Sequence, residues 1–110
     1  MPTYYHNIDG SSLTVNTLLS PGDNVNNIQS IMITNTHDTA DATITLYIQD
    51  SPSAGSSSSF NILHTVAIPA DTSLLLDNVP LLSFNNSTSG YGLYAEVGSS
   101  DTIDILINIL

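Results

Sequence analysis

Isoleucine falls at every second position near the C-terminus, at Ile103, Ile105, Ile107 and Ile109, with Asp104, Leu106, Asn108 and Leu110 between them. Side chains of an extended chain point alternately to opposite faces, so this spacing gathers the isoleucines on one face of a strand. A helix, whose face repeats every three to four residues, would scatter them. Ala42-Thr43-Ile44-Thr45-Leu46-Tyr47-Ile48 repeats the pattern, with Ala42, Ile44, Leu46 and Ile48 on one face and Thr43, Thr45 and Tyr47 on the other. Shorter runs read the same way at Leu13–Leu18, Ile31–Thr34, Ile62–Ile68, Ser73–Asp77 and Tyr91–Val97. With the Tyr4–Ile8 piece, about seven or eight strands recur at roughly ten-residue spacing. Nowhere do apolar residues hold a helical stripe over three turns. The prediction is an all-β fold: a single antiparallel β-sandwich domain over residues 1–110, immunoglobulin-like or jelly-roll.

Turn chemistry separates the runs. Ser20-Pro21-Gly22-Asp23-Asn24, Pro69–Thr72, Asn78–Pro80, Asn85–Gly90 and Gly98–Asp101 are rich in residues that reverse a chain. Asn35–Asp41 has side chains that bond their own backbone, which predicts an antiparallel hairpin between Ile31–Thr34 and Ala42–Ile48. Residues 50–60 include Ser56-Ser57-Ser58-Ser59 and offer little to bury, so an exposed, mobile Ser-rich loop is expected there.

The charge is one-sided: ten Asp and Glu, no Lys or Arg, and a net charge of -10 over 110 residues. Neutralising phosphates or anionic lipid headgroups takes basic side chains, so neither nucleic acid nor membrane is an expected partner. A basic protein surface or a cation would be attracted. No ion pair between Lys or Arg and a carboxylate can form, which leaves burial and hydrogen bonding to hold the fold. The absence of cysteine removes disulfides, thiolate chemistry and Cys-ligated metals. The N-terminus shows neither a positive region nor an apolar run, and synthesis in the cytosol without a visible export signal is the expectation.

His6, His37 and His64 are the best general-base candidates, yet none sits in a nucleophile or metal motif. The chain is therefore read as no enzyme, with no catalytic residue, no cofactor and no assigned metal site. Asp38 and Asp41 beside His37, Asp23-Asn24 and Asp71 occupy turns where oxygens could converge on calcium, but no spacing matches a known calcium loop, and a solvated turn is the simpler reading. His64 is in phase with Ile62, Val66 and Ile68 and reads as packed or interfacial. Asn85-Asn86-Ser87 and Asn86-Ser87-Thr88 match the glycosylation acceptor, a match read as chance without a secretory signal. Tyr91 and Tyr94, with the 85–90 loop, are the candidate glycan surface; Tyr47 lies in another segment, and tyrosine in strands is also ordinary packing.

Ile31-Met32-Ile33-Thr34-Asn35-Thr36, Ala42-Thr43-Ile44-Thr45-Leu46-Tyr47-Ile48 and Val66-Ala67-Ile68-Pro69-Ala70-Asp71-Thr72-Ser73-Leu74 together resemble small β-sandwich structural proteins of tailed bacteriophages. The resemblance spans about Ile28 to Val97. It implies a non-enzymatic virion component, a capsid decoration or cement protein or a neck or tail accessory protein, made in the host cytoplasm and found in the virion. Its partners would be the major capsid protein or a neck or tail protein, together with copies of itself. Such a protein would attach by strand pairing and apolar contact, and Tyr4, Tyr5, Ile8, Leu106 and Leu110 are the candidate interface residues. The alternative from the residues themselves is a glycan- or receptor-binding module.

Overall fold

The computed structural model describes residues 3–12, 14–25, 27–50 and 59–109. Its elements in chain order are β1 (Thr3–Asp9), β2 (Val15–Leu19), β3 (Ile28–Asn35), β4 (Ala42–Asp50), β5 (Ser59–Ile68), β6 (Ser73–Leu76), the helical turn α1 (Val79–Leu82), β7 (Tyr91–Val97) and β8 (Thr102–Ile109). The eight strands form two four-stranded antiparallel sheets, β1-β8-β3-β6 and β2-β7-β4-β5. Pairing is nested: β4 with β5, β3 with β6, β2 with β7 and β1 with β8. This is the strand order of a jelly roll, which decides between the two sandwich types that the sequence allowed.

The core lies between the sheets. Ile103, Ile105 and Ile107 are fully buried, beside Ile31 and Ile33 of β3 and opposite Ala42, Ile44 and Leu46 of β4 and Leu93 and Ala95 of β7. Each isoleucine taken out of water contributes about 1.5–3 kcal/mol, and these strands supply it at every second residue. Ile8 joins the same core at 4% exposure, so its side chain is withdrawn from the surface where it was expected to make contacts.

The expected hairpin between the second and third apolar runs does not form. Both edges of β3 are taken, by β6 and β8, and β4 lies in the other sheet. The 36–41 segment instead crosses between the sheets so that the apolar faces of β3 and β4 meet across the core. Asn35, fully buried, holds this crossing: its Nδ2 donates to the carbonyls of Ala40 (2.9 Å) and Ile68 (3.0 Å), and its Oδ1 accepts from the His37 amide.

Strand β5 departs from the expected phase. Its register against β4 shifts twice, between Ile44 and Leu46 and between Leu46 and Tyr47, and Thr65 takes a left-handed backbone at φ 51°. Each bulge inserts a residue and turns the following side chains over. His64 is thereby exposed rather than packed with Ile62, Val66 and Ile68. Asp50, Ser59 and Phe60 belong to strands, not to the loop assigned over 50–60, and residues 51–58 fall outside the described residues.

Candidate functional site

The outer face of the β2-β7-β4-β5 sheet carries an open groove of about 520 Å³, within the roughly 300–1,000 Å³ common for ligand sites. Strand alternation builds it. Thr43, Thr45 and Tyr47 point outward from β4 because Ala42, Ile44 and Leu46 point into the core, and Glu96 points outward from β7 for the same reason. Asn61, His64 and Thr65 complete the far wall from β5. The bulges sharpen the local twist of β5 and turn these polar side chains to the groove. Thr65 bears the cost: a β-branched residue in the left-handed region is strained by about 1–3 kcal/mol, a kind of strain that gathers at functional sites. The Thr65 amide donates to Thr45 Oγ1 at 2.9 Å, which fixes the bulge to the groove floor.

Tyr47 is backed by Tyr94, its direct partner across the β4–β7 ladder; their rings stack with centroids 5.5 Å apart. Burial pushes the Tyr47 phenol above its usual value, and the negative charge of Glu96 and the Tyr94 hydroxyl push it further the same way. Tyr47 therefore keeps its proton and remains a hydrogen-bond donor through the physiological range. Among the described lining residues Glu96 is the one carboxylate, and the chain has no lysine or arginine to offset it.

The two tyrosines proposed from sequence separate. Tyr91 and Tyr94 stand three residues apart on one strand and so face opposite ways. Tyr94 joins the groove face, whereas Tyr91 lies at the mouth of the sandwich, edge-on to Phe60 at 6.0 Å. Sequence reasoning missed Asn61 and Glu96 and left open whether Tyr47 converges with Tyr94, though the residues carried a partial signal. Tyr47 continues the Thr43, Thr45 face, and Glu96 lies two residues from Tyr94, but their convergence depends on strand order.

The other candidates have structural duties. His37 Nε2 lies 2.9 Å from the Ser100 carbonyl, and the Asp23 carboxylate accepts from the Ser20 amide. Among the described residues no three His, Asp or Glu side chains converge as a metal site. Asn86, within one glycosylation match, is fully buried: its Nδ2 donates to the carbonyls of Ser20 (3.0 Å) and Tyr91 (2.7 Å), and its Oδ1 accepts from the Val25 amide (2.9 Å). Asn85 of the overlapping match is exposed.

The outer face of the opposite sheet holds two of the five interface candidates, Tyr5 and Leu106. Tyr5, Leu106, Met32 and Leu75 are consecutive register partners, one from each strand, and form a single apolar row across the sheet. Tyr5 is 73% and Leu75 50% exposed, with Leu106 and Met32 half-buried between them. Tyr4 points the other way and packs on the core, and Leu110 lies outside the described residues.

No protein-family model matches the chain, and no curated protein matches its sequence. Solved structures do match. The xylan-binding domain from CBM 22 is similar over 76% of this chain and 55% of that one, at 13% identity and a TM-score of 0.50. The crystal structure of PirA is similar over 94% of this chain and 92% of its own, at 14% identity and a TM-score of 0.51. The Anabaena sensory rhodopsin transducer aligns over 97% of this chain and 94% of its own, at 12% identity and a TM-score of 0.48. This chain thus spans about half the length of the xylan-binding structure. At such identities the likeness is one of fold, a β-sandwich. The resemblance to phage sandwich proteins is supported to the same extent, by the fold class alone.

Proposed function

We infer that the groove on the β2-β7-β4-β5 sheet binds a neutral carbohydrate chain. The observation that carries this reading is Tyr47, backed by Tyr94 at 5.5 Å and set in a groove whose other polar groups are hydroxyl, amide, imidazole and carboxylate. A sugar ring offers an apolar C–H face and a rim of hydroxyls. An aromatic side chain takes the first, and hydrogen-bonding groups such as Thr43, Asn61 and Glu96 take the second. An open groove admits an internal stretch of polymer as well as an end. Glu96, on a chain of net charge -10, disfavours uronic or sialic acids. The xylan-binding domain with the same sandwich fold supports the ligand class by analogy of fold. The reading is of a binding module and includes no bond-making step. The virion role that the sequence resemblance implied has only the sandwich fold in its favour.

The test is electrophoresis through native gels cast with xylan, mannan, mixed-linkage glucan or polygalacturonate. Retardation by a neutral polymer, lost in Tyr47→Ala while the far-ultraviolet spectrum is kept, is the expected result. Migration unchanged by every polymer, or retardation that survives Tyr47→Ala, overturns the reading.

A further inference from the structure

The apolar row Tyr5–Leu106–Met32–Leu75 has no part in the groove, since it lies on the outer face of the other sheet. Strands sit about 4.8 Å apart, so the row runs roughly 14 Å from β1 to β6. Polar rows flank it and are already satisfied within the sheet. On one side Asn7 Nδ2 donates to Asp104 Oδ1 at 2.7 Å and the Thr34 and Ser73 hydroxyls bond at 2.8 Å; on the other Asn108 Nδ2 donates to Ser30 Oγ at 3.0 Å. An apolar strip framed by a polar rim is the anatomy of a protein interface. The row also turns the corner of the sandwich: Leu75 borders an apolar pocket of about 250 Å³, lined by Ile62, Leu63, Leu76 and Leu82, between edge strands β5 and β6.

Charge selects the occupant. Asp104 stands in the rim beside Leu106, Asp9 ends β1 and Asp77 follows β6, and no residue of the chain is a lysine or arginine. A second copy docking here would bring like charges together at each of these points. A partner with Lys or Arg round an apolar centre would meet attraction at all of them and would supply every cation of the interface.

We propose that the outer face of the β1-β8-β3-β6 sheet docks a basic protein surface, with Tyr5, Leu106, Met32 and Leu75 as the buried centre and the leucine pocket taking one apolar side chain of the partner. The module then has two faces with separate duties: the groove faces a ligand while the opposite sheet is fixed to a carrier.

The test uses the full chain and two defined amphipathic peptides, one of alternating Leu and Lys and one of alternating Leu and Glu, followed by fluorescence anisotropy. The Lys peptide binds and the Glu peptide does not, binding weakens between low and high salt, and Leu106→Asp lowers affinity by about tenfold or more, as expected for a buried interface centre. Leu75→Asp, at a more exposed position, lowers it likewise and guards against misfolding of the first variant. Binding of the Lys peptide that is unchanged or strengthened by both substitutions shows charge attraction alone and overturns the proposal. So does a dimer in light scattering that Leu106→Asp dissociates, which would assign the face to a second copy. Retained polysaccharide retardation by both variants separates this outcome from any failure of the groove.

Discussion

Tyr47 and Tyr94 face each other across the β4–β7 ladder with their rings inclined by only 23°. The pairing relies on Gly92: a Cβ there would lie 2.7 Å from the Tyr94 hydroxyl, 2.8 Å from the Leu19 carbonyl oxygen and 2.9 Å from Pro21 Cδ. Tyr94 thus reclines over a glycine while Tyr47 faces the groove. Two residues on neighbouring strands, and a missing side chain beside one of them, set the position of the tyrosine ring that lines the groove.

If the stack is an energetic unit, its members will not act additively. A double-mutant cycle of Tyr47→Ala and Tyr94→Ala in urea unfolding should give a coupling of about 0.5–1.5 kcal/mol. Zero coupling would mean that the rings merely lie near each other.

Asn86 and Asn85 are neighbours with opposite fates. Asn86→Ala removes the partner of the Val25 amide and of two carbonyls inside the fold, and at about 1–3 kcal/mol for each buried group left unpaired the loss should reach about 3 kcal/mol or more. Asn85→Ala, on the surface, gives up only the bond its Oδ1 accepts from the Ser87 amide and should cost about 1 kcal/mol or less. Thermal melts of the two variants decide the matter.

His6 lies on the inner face of β1, its Nε2 enclosed and without a hydrogen-bond partner among the described residues. Burial holds its pKa below the ordinary 6.5, with a backbone hydrogen bond to Leu18 opposing the shift. Below pH 6.5 the unfolded chain therefore binds a proton that the native chain resists. Stability rises with pH through this window and is lost as pH falls through it. Unfolding midpoints should drop between pH 7.5 and 5.5, and His6→Phe should flatten that slope. The Asp9 carboxyl, held below its usual range by hydrogen bonds from the Ser11 hydroxyl and amide, titrates in a lower window and does not confuse the reading.

Ile107 tests the assignment of faces. Ile107→Asp places an unpaired charge where the side chain is fully buried and should abolish folding. An Ile107→Asp protein that remains folded, as judged by circular dichroism and a cooperative melt, would remove the isoleucine face from the core.

Much of this architecture could be read directly from spacing. Ile103 to Ile109 and Ala42 to Leu46 entered the core on the faces their period-2 pattern predicts, because alternation reports burial wherever a strand is regular. It failed where the backbone is not: the two bulges of β5 reversed the phase at His64, and only the partner strand reveals them. It also failed at Asn35–Asp41, where turn-forming residues serve a crossing between sheets as well as they serve a hairpin, and a buried Asn35 amide cannot be told from an exposed one. Of the candidate site, the opposite orientations of Tyr91 and Tyr94 were implicit in their three-residue separation. That Tyr94 meets Tyr47 was not, since it depends on β7 lying beside β4. The apolar row was half visible as Leu106; Met32 and Leu75 joined it only through register.

Nested pairing also sets an order of assembly. Closing a loop costs entropy that grows with the logarithm of its length, and β1 with β8 must join residues as distant as Thr3 and Asn108. Once β4 and β5 have met, and then the pairs outside them, the last closure spans little more than the short links at residues 10–14 and 98–101. Loop-closure entropy thus favours pairing that proceeds from the middle of the chain toward its ends. On that order β1 is the last strand to be laid down, at a sheet edge where β8 is its one neighbour among the described strands.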